Sequence, residues 1–365
     1  MRLTALLLLF ALSSCRTLVL PPPENPVLPL MENRDQVDQY VSSKFLEMGM
    51  ESSTQEYEVH GLVVRNAIGV LEGDERVLII GAHHDRVEGS PGADDNASGV
   101  AVLLEVANRL RLNPVKPTLV FIAFGGEEMG TLGSIYYSRN PVLPLDRSVA
   151  MINMDMVGRL RKTLAVIGVD TAEEWHGHLD RAALPGLPLK RGKGGVGPSD
   201  HTPFYLAGIP VLHLLTGAHS DYHKSTDTAD KLNVHGMFRI ADFVENLVRE
   251  IANGDGLTYQ KSSVQVRPAG GPVPKANRPY LGVIPDYTFD GEGVLLQGTN
   301  PGSPAESAGF QEGDLVLSFD GTEVPDIQVY SKLFFATHPG DQLVVTVLRE
   351  GKRVNISVTI GTRPK

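Results

Sequence analysis

Uninterrupted apolar runs alternate along this chain with stretches whose apolar residues recur at helical spacing. Between Met31 and Met50, the residues Val37, Val41, Phe45 and Met48 share one face, which predicts an amphipathic helix. The same spacing recurs over Ala97–Leu110, with Val100, Leu103, Leu104, Ala107 and Leu110 turned inward. Val77–Ala82 and Thr118–Phe124 are continuous apolar runs, the pattern of strands buried on both faces. Further strands are expected within 55–71 and at 149–154, 164–169 and 209–215, with helices near 172–183 and 235–253. Strands alternating with helices imply an α/β fold, a mixed and largely parallel sheet covered on both faces.

The pattern changes after this region. Residues 254–277 are rich in Gly, Pro, Ser and Lys with little apolar content, and read as a linker. Residues 278–363 then hold short strands at 281–285, 294–297, 314–319, 342–349 and 353–360, and one helix near 326–337. The N-terminus is a targeting segment. Arg2 is followed by the apolar run 3–12, too short to span a bilayer at the ~20 residues a helix needs. The sequence L-S-S-C at 12–15 resembles the bacterial lipobox, which would make Cys15 a lipidated first residue. Cys15 is the only cysteine, so it has no disulfide partner in the chain. The expected organisation is a signal peptide and lipobox at 1–15, a Pro-rich tether at 16–30, a large domain at 31–253, the linker, and a small domain at 278–363. The expected location is the cell envelope, with the N-terminal lipid as the only membrane attachment. Arg16 after the cysteine resembles sorting signals that favour the outer membrane.

A chain of 365 residues exceeds what one core usually organises, which agrees with a large and a small domain. The formal charge of −10 and the lack of a basic patch argue against nucleic acid as a partner.

Candidate chemistry sits where the apolar runs end. GAHHD occupies 81–85, GADDN 92–96, FGGEE 124–128, NMDMVG 153–158 and DYHKSTD 221–227. Alternate residues of a strand share a face, so His83 and Asp85 point together and His84 points away. A ligand histidine usually donates its other ring nitrogen to a carboxylate, a role in which Asp85 is placed to serve. An N-cap would explain one Asp or Asn before Ala97, but Asp94, Asp95 and Asn96 exceed that need. One of the aspartates can bridge two cations. The adjacent Glu127 and Glu128 repel unless cations or protons offset them; one suits a ligand and the other a free base. With Asp155 and His223, these groups supply the imidazole and carboxylate donors that zinc takes. Strand ends converging at one sheet edge are how open α/β sheets build sites. No G-x-S-x-G elbow or internal cysteine offers a rival nucleophile.

H-x-D, G-A-D-D-N-x-S-G, E-E, N-x-D-M-x-G, S-D-H-x-P-F and Y-H, in this order over residues 31–253, resemble the co-catalytic double-zinc aminopeptidase family. The resemblance implies a zinc-peptidase-type α/β/α sandwich and two Zn²⁺ per chain, with cobalt or manganese as alternative metals. It implies that His83 and Asp155 bind one zinc, that Glu128 and His223 bind the other, and that Asp95 bridges. Glu127 would be the general base and Tyr222 an oxyanion donor, acting on peptide substrates. Relatives on this scaffold include glutaminyl cyclases and carboxypeptidases, so those activities stand as alternatives, as does a non-catalytic peptide-binding protein. R-P-Y-L-G-V at 278–283 and the G-V-L-L-Q-G-T-N-P-G-S-P-A-E-S-A-G-F-Q-E-G-D run from 293 resemble a bacterial PDZ domain, a small β-barrel-like fold. Tyr280, Leu281, Gly282 and Val283 would then form the loop that holds a protein or peptide C-terminus, with the peptide adding as a strand beside 281–285.

Overall fold

The computed structural model describes residues 24–362, save 34, 60, 255, 263–278, 286–288, 290 and 301. The signal segment, Cys15 and most of the linker lie outside the described residues. Among those described, no helix is long and apolar enough to cross a membrane.

The chain enters through α1 (Leu28–Glu32) and α2 (Val37–Glu47), then a hairpin of β1 (Glu51–Val59) and β2 (Leu62–Leu71). There follow β3 (Asp74–His83), α3 (Gly99–Leu112), β4 (Pro117–Phe124), α4 (Leu132–Arg139), β5 (Ser148–Met154), β6 (Leu164–Ile167), α5 (Trp175–Ala182), β7 (Leu189–Gly192), α6 (His201–Leu206), β8 (Val211–Leu215) and α7 (Val234–Asn253). The eight strands form one sheet in the order β1-β2-β4-β3-β5-β8-β6-β7. Its centre, β4-β3-β5-β8, is parallel throughout, and the antiparallel pairs lie outside it.

The apolar runs at 77–82 and 118–124 explain the layers. In β3, Leu78, Ile80 and Ala82 face one core and Val77 and Ile79 the other. In β4, Leu119, Phe121 and Ala123 alternate in the same way with Val120, Ile122 and Phe124. Strands wrapped on both faces have no polar side to spare, which is why these runs are unbroken. The larger core lies under α2, α3, α5 and α7; the smaller packs Phe124 against Tyr137 of α4 and Phe204 of α6. Beyond α7 the chain stays on this layered unit: Tyr259 bridges to Ala172, the Gln260 amide donates to the Thr171 carbonyl, and Ser262 Oγ donates to Asp170 at 2.7 Å.

The C-terminal region has its own core, which includes Leu281, Val294, Phe319, Val345 and Ile356. Its strands are β9 (Pro279–Tyr280), β10 (Val283–Pro285), β11 (Val294–Thr299), β12 (Leu315–Phe319), β13 (Thr322–Glu323), β14 (Gln342–Arg349), β15 (Lys352–Thr359) and β16 (Gly361–Thr362), with helices α8 (Pro304–Ala308) and α9 (Ile327–Phe335). The main sheet runs β10-β11-β12-β14-β15, β13 pairs with β12, and β9 pairs with β16. Alternation along β14, with Leu343, Val345 and Val347 buried, gives it one covered face.

Candidate metal centre

Because β3, β4, β5 and β8 are parallel, their C-terminal ends share one edge. His83 is the last residue of β3, and register places it beside Phe124, the last of β4. Asp155 follows β5 directly, and β8 feeds the loop that carries Tyr222 and His223. Asp95 lies in the irregular segment between β3 and α3.

Two groups of ligand atoms meet at this edge, and they share one residue. His83, Asp95 and Asp155 form the first; Asp95, Glu128 and His223 form the second. His83 Nε2 lies 3.2 Å from Asp95 Oδ1 and 3.3 Å from Asp155 Oδ1. His223 Nε2 lies 3.1 Å from Asp95 Oδ2 and 3.2 Å from Glu128 Oε1. Asp95 therefore offers a different carboxylate oxygen to each group. Glu127 belongs to neither group.

The surroundings fix these side chains. The Asp85 carboxylate accepts the backbone N–H groups of Glu127 and Glu128 at 3.0 and 3.1 Å, which orients the turn after β4. The nearest partner of His83 Nδ1 is the Asp85 carbonyl at 3.1 Å; the carboxylate lies at 3.6 Å. Asp85 thus supports the histidine and the glutamate pair together, and the second of these tasks leaves no trace in sequence spacing. His84 points the other way, its Nε2 2.9 Å from the Arg65 carbonyl. Gly125 passes so close to β2 that a Cβ there would meet the Arg65 carbonyl at 2.4 Å. Ser199 Oγ donates to Asp155 Oδ2 at 2.9 Å, and Asn153 Nδ2 donates in turn to Ser199 Oγ at 2.8 Å. Asn96 Oδ1 accepts the N–H groups of Gly99 and Met156, so it joins the start of α3 to the loop after β5. Tyr222 stacks on His223 with ring centroids 3.7 Å apart.

Charge is in excess here. Burial pushes Glu127 well above the usual carboxylate range; His83 opposes this and Glu128, Asp155 and Asp200 add to it. Burial and Asp95 raise Glu128. Burial opposes the charge of His223, yet Asp95 and Glu128 push it up to about 9. His83 likewise stands well above its ordinary value against the effect of burial, held there by Asp155 and Glu127. Burial would raise Asp95, but His223 and His83 lower it. Two causes act together: burial penalises charge on every group here, and the crowded carboxylates draw protons onto the two histidines, which in turn hold Asp95 ionised. Divalent cations relieve the same crowding and leave the imidazoles neutral as ligands. Imidazole nitrogen and carboxylate oxygen are zinc's donors, so the residues present fit that ion.

Sequence reasoning passed over several residues that complete the site. Ser199 sits inside S-D-H-x-P-F, and Asp221 and Asp227 sit inside DYHKSTD, so their motifs were visible without their roles. Asp94, His219 and Arg159 form a buried network beside the second group, with His219 Nε2 3.0 Å from Asp94 Oδ2. Asp200 is fully buried, accepts from Ser134 Oγ at 2.5 Å, and is pushed by burial to about 7.

Known proteins place this arrangement in a family. The profile of peptidase family M28 matches residues 66–248, which span every residue of both groups. The chain belongs to that family. A PDZ domain profile matches residues 264–360. The M28 chain is 36% identical over 198 residues to leupeptin-inactivating enzyme 1 of Streptomyces exfoliatus, covering 53% of this chain and 44% of that protein. It is 32% identical over 189 residues to aminopeptidase YwaD of Bacillus subtilis, covering 48% of this chain and 41% of that protein. It therefore spans less than half the length of these curated relatives. Among solved structures, LapB from Legionella pneumophila superposes with a TM-score of 0.56 at 19% identity, covering 64% of this chain and 73% of that one. Porphyromonas gingivalis glutaminyl cyclase superposes with a TM-score of 0.56 at 23% identity, covering 61% of this chain and 95% of that one. At such identities these two establish the shared α/β fold.

Proposed function

We propose that this chain is a zinc-dependent aminopeptidase that removes N-terminal residues from peptides. The observation that carries the reading is the pair of ligand groups joined through the two oxygens of Asp95. His83 and Asp155 would hold one zinc, Glu128 and His223 the other, with Asp95 common to both. Zinc held there supplies Lewis acidity that lowers the pKa of water and polarises a carbonyl. The remaining work falls to the chain's own residues. Glu127, outside both groups and with its proton affinity raised by burial, takes the proton of the attacking water and returns it to the leaving amine. The Tyr222 hydroxyl donates to the oxyanion, and the stacked ring of His223 limits where that hydroxyl can go. The carboxylate-rich floor suits the positive α-amino group of a substrate. The name of the Bacillus subtilis relative, aminopeptidase YwaD, agrees with this chemistry.

The test is a panel of aminoacyl-anilides, free and N-acetylated, alongside a peptide with N-terminal Gln. Full-length protein with zinc is expected to cleave the free anilides, to spare the acetylated ones and to bind close to two zinc ions per chain. Ammonia release from the Gln peptide without amino-acid release would move the reading to a cyclase. Cleavage of the acetylated anilides would remove the aminopeptidase assignment.

At the C-terminal domain, the proposed carboxylate loop is Tyr280 to Val283. The Gly282 carbonyl accepts the Asn300 N–H and the Leu281 carbonyl accepts the Ala305 N–H, so both carbonyls turn inward. The trans peptide that follows Gly282 then directs the Val283 N–H the other way, toward an incoming chain terminus. Gly282 adopts φ +83, and a Cβ there would meet Ser303 Cβ at 2.3 Å. This arrangement supports the reading that the loop captures a peptide C-terminus by strand addition.

The N-terminal lipobox reading gives a further expectation. In a bacterial host, Cys15→Ser should move the protein from the membrane fraction to the soluble fraction, because stable anchoring takes more than one acyl chain and a lipobox cysteine carries several. Identical partitioning of mutant and wild type would remove the lipid anchor.

A further inference from the structure

The geometry points to Arg159 as the residue that positions the second ligand group: one guanidinium closes both ends of the 221–227 loop and, through Asp227, fixes that loop on the segment carrying Asp95. The inference rests on the two-cation reading above. Arg159 follows the NMDMVG motif and is 12% exposed in its side chain. Its Nη1 donates to Asp221 Oδ2 at 2.7 Å and its Nη2 to Asp227 Oδ1 at 2.9 Å. His223 lies between those two aspartates, in the left-handed region at φ +59. A histidine in that conformation needs its flanks held, since the backbone gains nothing from staying there.

Asp227 carries the constraint onward. It is fully buried, and its second oxygen accepts the backbone N–H groups of Asp94 and Asp95 at 3.0 and 3.1 Å. The same carboxylate therefore binds Arg159 on one side and the shared ligand's own peptide on the other. The remaining arginine nitrogen, Nε, faces Asp94 Oδ2 at 3.9 Å with no hydrogen bond, so it acts there by charge. Asp94 is held in turn by the Gly158 N–H at 2.7 Å and by His219. Asp221 has a second cation, Lys231, whose Nζ donates to Oδ1 at 2.7 Å. Arg159 thus sets the spacing between His223 Nε2 and Asp95 Oδ2, two ligand atoms 3.1 Å apart that come from segments distant in sequence. Lysine cannot substitute, because a point charge reaches one carboxylate where the planar fork reaches two in fixed directions.

The test uses the full-length chain with Arg159→Lys, which keeps the charge and loses the fork. Zinc binding is measured by calorimetry on metal-free protein, and amide exchange is followed at Asp94, Asp95 and His223 without metal. The expected result is a zinc at the His223 group with affinity lower by about 10–100-fold, and one at the His83 group, which shares only Asp95 with the clamp, weakened much less. Exchange at Asp94 and Asp95 is expected to speed up, with the melting transition still cooperative. A general loss of stability would weaken both zinc ions alike, whereas a positioning role weakens the one at the His223 group far more. If Arg159→Lys does not fold, Asp221→Asn opens the partly exposed end of the clamp alone and should produce the same selective loss in smaller measure. Two zinc ions bound with unchanged affinity by the folded variant would overturn the role of Arg159. Wild-type protein that binds no zinc would instead overturn the two-cation reading, and this role with it.

Discussion

Glu127→Gln is expected to lower turnover by about 10²–10⁴-fold while leaving two zinc ions bound, the usual cost of removing a general base. The two adjacent glutamates differ in what they face. Glu128 Oε1 lies 3.2 Å from His223 Nε2 inside the second ligand group, whereas Glu127 belongs to neither group. Their backbone N–H groups are both held by Asp85, so an amide at position 127 keeps the turn in place. The loss is then chemical: an amide accepts no proton from water. Glu128→Gln should instead lower zinc content along with activity, and excess zinc should restore part of both. Paired kinetics and metal analysis of the two variants decide the matter. Loss of zinc in Glu127→Gln with retention in Glu128→Gln would reverse the two roles, and wild-type rates in both would sink the mechanism.

Asp95→Asn should have the largest effect on metal binding, because it alters both ligand groups with one substitution. Asp95 presents Oδ1 to the His83 group and Oδ2 to the His223 group. An amide offers one oxygen, turns an N–H donor toward the other cation and removes a negative charge that both share. Its side chain is nearly inaccessible, so water is poorly placed to replace the lost donor. Zinc binding should also stabilise the wild type, by about 2.7 kcal/mol for each site at free zinc 100 times its dissociation constant. Thermal melts with and without zinc should therefore separate clearly for the wild type and nearly coincide for Asp95→Asn. A variant that still gains the full wild-type shift would show that Asp95 is not shared.

The parts of the fold that were legible in sequence are those whose packing repeats with a fixed period. The 77–82 and 118–124 runs became β3 and β4, and the 97–110 periodicity became α3, within three residues at each end. Other elements lack a period. The first half of β1 is polar because only Tyr57 is buried among the side chains described on that edge strand. Helix α4 buries Gly133, Ser134 and Tyr137, small and polar groups that do not read as an apolar face. Helix α6 has six residues, and β7, LKRG, is half-buried throughout. Each is set by its neighbours rather than by its own pattern.

For the site, the same division holds. The sequence by itself determined which residue types end the apolar runs, their order along the chain, and the parity that separates His83 from His84. Those are local properties: the two-residue period of a strand and the chemistry of the side chains. Tertiary structure decided which atoms meet. The parallel register of β3, β4, β5 and β8 brings their ends to one edge, and only there do the two oxygens of Asp95 face two different histidines. The second task of Asp85 and the clamp of Arg159 between Asp221 and Asp227 likewise depend on long-range contacts. No spacing rule predicts such contacts, because a hydrogen bond between distant segments depends on how the sheet closes the loops that carry them.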